Sequence, residues 1–247
     1  MSTAARFRYS FDCLGTSGEL RINDLPVAEN EGGNRTRNGL INEYIVDGRN
    51  RVMVRIGDLS AAPAPAPPNA WVTLNISSGE PLCEIDWRPG PDARYPTRQE
   101  REFVSGTSEG PRLFQLGAIL SKTPRELAGA QQLVGAMVDA LRGRRLQTVL
   151  ELLRRKAGHQ SAAFGFPLTR VTSQSTRLFS EWFGNPAWDL QPVDFKKLRF
   201  GLFGDNRVLR VRRENGAPVI ESVPVDGAIF SMDLLLSLID GTWVIVL

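Results

Sequence analysis

The stretch TPRELAGAQQLVGAMVDALRG, residues 123–143, divides the chain into two kinds of sequence. It opens with Thr123 as an N-cap, Pro124 at the first helical position and Glu126 three residues on. That is a capping box, in which side chains satisfy N–H groups the helix itself leaves orphaned. Leu127, Ala130, Val134, Met137, Val138 and Leu141 then recur at helical spacing, and the pattern ends near Gly143. A second helix is predicted with Leu146, Val149, Leu150, Leu153 and Ala157 on one face and Arg154, Arg155 and Lys156 in its last turns. A third spans Ser173 to Phe183, with Leu178, Phe179, Trp182 and Phe183 apolar.

Upstream of this stretch the period is two. Residues 7–13 (FRYSFDC) alternate large apolar with polar side chains, as a half-buried strand does. Residues 19–23 repeat the pattern before a turn at Asp24, and a Gly/Asn-rich loop at 31–34 leads to an expected strand over 40–45. Asp47-Gly48 is a strong hairpin signal, because Gly takes a positive φ freely, and a strand follows at 51–56. The run AAPAPAPPN, 61–69, supports neither helix nor ordinary strand, since Pro lacks the N–H and fixes φ. It reads as a stiff loop within one domain. Strands are predicted at 71–76 and 83–87, with weaker ones at 101–104 and 112–116. Many short strands without a helix point to an antiparallel sandwich.

Downstream of Pro192 the period of two returns. Residues 198–202 and 208–211 flank the turn Gly204-Asp205-Asn206, and Asn215-Gly216 precedes another strand at 218–223. Residues 230–238, the turn Asp240-Gly241 and residues 243–247 make a closing pair. Helices in a run followed by strands in a run indicate the α+β class rather than alternating βαβ units. The expected organisation is an N-terminal antiparallel β-sandwich, 1–117, and an α+β domain, 118–247.

Composition narrows the chemistry. With 247 residues, 42% hydrophobic and 23% charged, the chain can bury a sizeable core. No apolar run approaches the roughly 20 residues a membrane helix needs, and no secretory signal is visible at the N-terminus, so a cytoplasmic location is expected. Cys13 and Cys83 lack a CxxC partner and read as buried thiols. One histidine and two cysteines cannot supply the four ligands of a structural zinc site, so no metal is expected. No phosphate-cradling glycine loop occurs after a strand, and no cofactor is expected. His159, the one histidine, sits just past the second helical pattern, where the helix dipole favours it.

The formal charge is +3, from 30 Lys+Arg against 27 Asp+Glu, and 26 of the 30 cations are Arg. Basic clusters occur at Arg142/Arg144/Arg145, at Arg154/Arg155/Lys156 and at Arg207/Arg210/Arg212/Arg213. Asp139, Glu151, Asp205 and Glu214 are interspersed with them. The mixture predicts a solvated surface rather than a nucleic-acid face.

The two early helices joined at 141–146 (LRGRRL), together with 235–246 (LLSLIDGTWVIV), give the second half a resemblance. It resembles the nuclear-transport-factor-2-like superfamily, which includes ketosteroid isomerase and SnoaL-like cyclases. In such domains an Asp-Gly turn precedes a Trp-bearing final strand. The resemblance implies a curved antiparallel sheet wrapping the helices into a cone, whose apolar mouth holds a ligand or is filled by side chains. The first half, through 40–52 (LINEYIVDGRNRV), is similar to jelly-roll modules of the carbohydrate-binding sort. That similarity implies sugar stacking on Trp71 or Trp87 if either ring is exposed on a sheet face.

The family's isomerase chemistry needs a carboxylate base and a neutral donor such as Tyr. All three tyrosines, Tyr9, Tyr44 and Tyr95, precede residue 118. Remaining catalytic candidates are Asp189, Asp194 and Asp233, each of a type more often found at a surface or turn, and His159. Phe164, Phe166, Trp182, Phe183 and Trp188 are candidates to line an apolar ligand site at the cone mouth, with core filling as the alternative use. The expected function is non-enzymatic: a binding or adaptor protein for a protein partner or an apolar small molecule, with neither nucleic acid nor membrane as partner. A homodimer through the curved sheet is left open. The alternatives are an isomerase, lyase or cyclase with one Asp as general base, and a carbohydrate-binding first domain.

Overall fold

Alternation of apolar and polar side chains, once placed in space, yields sheets with one buried face. The computed structural model describes residues 5–31, 36–57, 62–106 and 110–247. The chain divides into two compact units, Met1–Arg112 and Leu113–Leu247, and its content is α+β, with four α-helices and several antiparallel sheets among the described residues.

The first unit holds β1 (Arg8–Leu14), β2 (Gly18–Ile22), β3 (Leu25–Asn30), β4 (Arg37–Leu40) and β5 (Gly48–Ile56). It continues with β6 (Ala64–Pro65), β7 (Trp71–Ser78), β8 (Glu80–Trp87), β9 (Arg94–Tyr95) and β10 (Thr97–Ser105). One sheet has the order β4-β1-β7-β8 and another β10-β5-β2-β3, with every neighbouring pair antiparallel, while β6 pairs with β9. Phe11, Cys13, Val72, Leu74, Ile76 and Ile85 from the first sheet share one core with Leu20, Ile22, Val52, Val54, Ile56 and Phe103 from the second.

Several local expectations are corrected here. Asp47-Gly48 joins no hairpin: β4 pairs with β1 in one sheet, whereas β5 pairs with β2 and β10 in the other. The segment between is therefore a crossing from sheet to sheet, and 40–45 is not a strand but a 3-10 turn at Asn42–Tyr44. Two buried amides explain why. Asn42 Oδ1 accepts from Phe7 N at 2.9 Å and its Nδ2 donates to Ala5 O at 2.7 Å. Asn50 Oδ1 accepts from Val46 N at 2.8 Å, and its Nδ2 donates to Val46 O, Gly48 O and Ser105 Oγ at 3.0–3.1 Å. These side chains replace the ladder bonds a strand would have made.

Strand β3 lies between the turn at Asp24 and the 31–34 loop, where no strand is expected; it contains Pro26, whose missing N–H costs little at a sheet edge. Residues 113–116 form a 3-10 turn instead of the strand expected at 112–116. Part of the Gly/Asn-rich loop, 32–34, and Ala61 of the proline-rich run lie outside the described residues.

The second unit begins with α1 (Pro124–Arg142), α2 (Leu146–Leu152), α3 (Arg154–Phe164) and α4 (Leu168–Gly184). Thr123 caps α1 as the sequence implies: its Oγ1 accepts from Glu126 N at 3.3 Å, and Glu126 Oε2 accepts from Thr123 N at 2.7 Å. The Thr123 N–H, joined by that of Ser121, holds the Glu126 carboxyl below its usual range. The cap's contribution is thus present above the ordinary glutamate pKa and is lost as pH falls through the lowered value. The predicted second helix is two helices, broken at Leu153, so His159 lies inside α3 rather than past a helix end. Helix α4 starts earlier than Ser173, from an N-cap at Pro167; Thr172 and Ser175 return their hydroxyls to Leu168 O and Val171 O and so tolerate the helix.

After the helices come β11 (Arg199–Phe203), β12 (Val208–Arg212), β13 (Ile220–Glu221), β14 (Ser231–Met232), β15 (Leu234–Ile239) and β16 (Thr242–Ile245). The main sheet has the antiparallel order β11-β12-β15-β16, with β13 paired to β14 beside it. Asp240 and Gly241 both take positive φ, 52° and 74°, the geometry of a tight hairpin turn. Leu209, Val211, Leu234, Leu236 and Ile245 join Ala130, Val134, Met137, Val138, Leu141 and Val149 in one core. Gly129 sits inside α1, where Gly costs about 1 kcal/mol relative to Ala, because a Cβ there would run into the Trp243 indole of β16.

Two outcomes follow from this packing. Asn50→Ala removes the acceptor of Val46 N and Asn23 Nδ2 and the donor to Gly48 O and Ser105 Oγ, and is expected to destabilise the first unit by about 3 kcal/mol, read as a lowered urea midpoint. Cys13 and Cys83 are buried, and burial pushes the Cys13 thiol up to about 12. Neither thiol should react with a disulfide reagent at neutral pH until denaturant is added, as followed by thiolate release.

Candidate functional site

The aromatic residues around α4 form the densest chemical feature of the second unit. Trp182, Phe183 and Trp188 meet Phe179 and Phe230, with ring centroids 5.4–6.0 Å apart and mostly tilted or edge-to-face. Trp188 is buried, and its indole Nε1 donates to Leu141 O at 3.1 Å, which ties the loop after α4 to the end of α1. Phe230 meets Phe179, Trp182 and Trp188 edge-on, and the partly buried Trp182 and Phe183 pack against the same core. Phe164 and Phe166 stack on one another at 6.0 Å outside that core cluster, with the Arg170 guanidinium 4.3 Å over Phe166. Phe230, expected only as the start of the 230–238 strand, is a further member of this cluster. Its signal was available: it opens the apolar run leading to β15, after the turn at Asp226-Gly227.

The four titratable candidates fall in separate places. Asp189 is exposed, and its Oδ1 accepts from the adjacent Leu190 N at 2.7 Å. Asp194 is exposed and caps the 3-10 turn Phe195–Lys197 through Lys196 N. It borders a depression of about 350 Å³ together with Pro192, Lys197, Leu198, Arg213, Glu214 and Asn215. Asp233 stands at the entrance of β15, where its Oδ2 accepts from Arg210 Nε at 2.8 Å, from Arg210 Nη2 and from Arg212 Nη2 at 2.9 Å. Arg210 is only 8% exposed, so this carboxylate supplies the countercharge of a buried cation. His159 is half-buried on α3.

Five arginines of the basic clusters, Arg142, Arg144, Arg207, Arg212 and Arg213, stitch backbone carbonyls together, a role composition alone did not reveal. Arg144 donates to Phe183 O, Pro186 O and Trp188 O at 3.0–3.3 Å. Arg213 donates to Pro192 O, Gln191 O, Pro218 O and Val219 O at 2.7–3.3 Å. Arg142 reaches Gln191 O, Arg207 reaches Gly117 O and Arg212 reaches Gly216 O. A planar guanidinium with several fixed donors suits this bridging, which a lysine point charge does not reproduce. The excess of Arg over Lys was the available signal.

In the first unit, Trp87 packs against the core and lies 5.9 Å from Tyr95, and Trp71 is half-buried. No group of three or more His, Cys, Asp or Glu able to hold a metal ion occurs among the described residues. No helix there is long and apolar enough to cross a membrane. No family model, curated protein or solved structure matches this chain.

Asp233→Asn removes the countercharge of Arg210. It is expected to destabilise the second unit by about 3 kcal/mol, seen as a lower thermal midpoint, whereas Asp189→Asn should stay within about 0.5 kcal/mol of the parent.

Proposed function

We propose that this chain is a cytoplasmic binding or adaptor protein. In this reading an N-terminal β-sandwich precedes a cone domain of the nuclear-transport-factor-2-like kind, and the whole acts by contact with a protein or an apolar small molecule. Support for the cone comes from the order of elements: four helices, then an antiparallel sheet whose last hairpin carries Asp240-Gly241 before Trp243. The observation that carries the non-catalytic reading is how the family's reactive ingredients are used. Trp182, Phe183 and Trp188 interlock with Phe179 and Phe230, and Asp233 neutralises Arg210 and Arg212. Rings packed on one another leave less of their surface to a ligand, and a carboxylate held by two arginines is poorly placed to take a proton from a substrate.

A second reading keeps one specific observation in its favour. Asp194 borders the depression with Lys197 and Arg213, so a general base with cationic neighbours could act there on a small carbonyl compound. One experiment separates the two readings. The purified protein is incubated with a cellular metabolite extract, and the extract is compared before and after by untargeted mass spectrometry, with ultrafiltration to recover bound species. The expected outcome is retention without consumption. A metabolite consumed by the parent protein and spared by Asp194→Asn would replace the binding reading with the enzymatic one.

A further inference from the structure

Arg55 of β5 and Arg98 of β10 are direct cross-strand partners in the second sheet of the first unit. Both alternate with the core residues Val54, Ile56 and Phe103, so they stand on the outer face. Like charges placed directly opposite one another destabilise an antiparallel pair, so this placement calls for an explanation. A third cation approaches from β2, where Arg21 is opposite Met53 and Glu19 is opposite Arg55. Arg21, Arg55 and Arg98, with Met53, Pro96 and Thr97, line a depression of about 370 Å³.

The carboxylates nearby are shared rather than matched one to one. Glu19 Oε2 takes Arg21 Nη2 at 3.0 Å and Arg55 Nη1 at 3.5 Å, and Asp24 Oδ1 takes Arg21 Nη1 at 3.3 Å. Glu100 takes Arg98 Nε at 3.4 Å and Arg51 Nη2 at 3.2 Å. Among the ion pairs of the described residues, Glu19 serves both Arg21 and Arg55, and Glu100 serves both Arg51 and Arg98. Arg55 and Arg98 make only long carboxylate contacts, at 3.5 and 3.4 Å, and both side chains line the depression.

We infer that this depression is a binding site for a small molecule bearing a phosphate or sulfate group, clasped between the forks of Arg55 and Arg98 with Arg21 behind them. Guanidinium forks match the paired oxygens of such anions. Met53 and Pro96 give the remainder of the ligand an apolar wall. Burial and the neighbouring Arg21 charge hold the Arg55 guanidinium below the usual arginine range, a cost that an anion between the cations removes. The site belongs wholly to the first unit and goes beyond the role proposed above, since it holds whether or not the second unit turns anything over.

The test uses the full chain and inorganic pyrophosphate as probe, titrated calorimetrically at physiological ionic strength, with a short single-stranded oligonucleotide in a parallel arm. Pyrophosphate should bind the parent, and Arg55→Gln and Arg98→Gln should each weaken that binding about tenfold or more, the loss of one charge-assisted contact. Arg177→Gln, on the exposed face of α4, should bind as the parent does. Unchanged circular dichroism and an unchanged or raised thermal midpoint in Arg98→Gln accompany a binding role, because a like-charge neighbour has been removed. No binding by the parent below about 1 mM, or equal binding by the parent and both glutamine variants, overturns the inference. So does an oligonucleotide that binds more tightly than pyrophosphate with a steep salt dependence, which would make the face a nucleic-acid surface.

Discussion

Every carbonyl and amide taken out of water must find a partner, and in this protein much of the irregular backbone finds it in side chains. Asn50 and Asn42 serve the crossing between the sheets of the first unit, and Arg112 Nε donates to Ile45 O beside them at 2.5 Å. Arg144 and Arg213 do the same for the loops that follow α4 and β12. Within the sheets and helices most backbone groups pair with one another. In the connections between them, the fold depends on a few long polar side chains reaching several backbone groups at once.

That dependence explains what could be read from the sequence. Elements with strong period or cap chemistry, such as β1, α1 with Thr123 and Glu126, and the Asp240-Gly241 hairpin, are local in origin and were legible. The crossing at Asn42–Asn50 was misread as a hairpin because its determinant is an amide pairing with Ser105, 55 residues away. The break at Leu153 is likewise a tertiary matter: the apolar positions of α2 and α3 continue one pattern, yet the two helices separate to pack on α1 and α4. β3 carries Pro26 and is tolerated because it lies at a sheet edge, a placement that only the pairing with β2 decides.

For the candidate site, residue types were legible and their uses were not. Sequence placed Trp182, Phe183 and Trp188 near one another, and they are in contact. Whether such rings frame a cavity or plug one another depends on Phe230, which arrives from beyond two further turns. Asp233 offered no warning that its partners would be Arg210 and Arg212, because that pairing rests on the register of β12 against β15. Charge arithmetic alone treats those arginines as free surface, and geometry assigns them to a carboxylate and to carbonyls.

β10 forms an edge of its sheet over nine residues, Thr97–Ser105, a length that would ordinarily invite another chain to zip alongside. Arg98, Glu100, Arg101 and Glu102 interrupt it. An incoming strand would have to strip water from guanidinium and carboxylate groups before gaining a single ladder bond. Hydration of those charges therefore weighs against open-ended fibre growth from this margin.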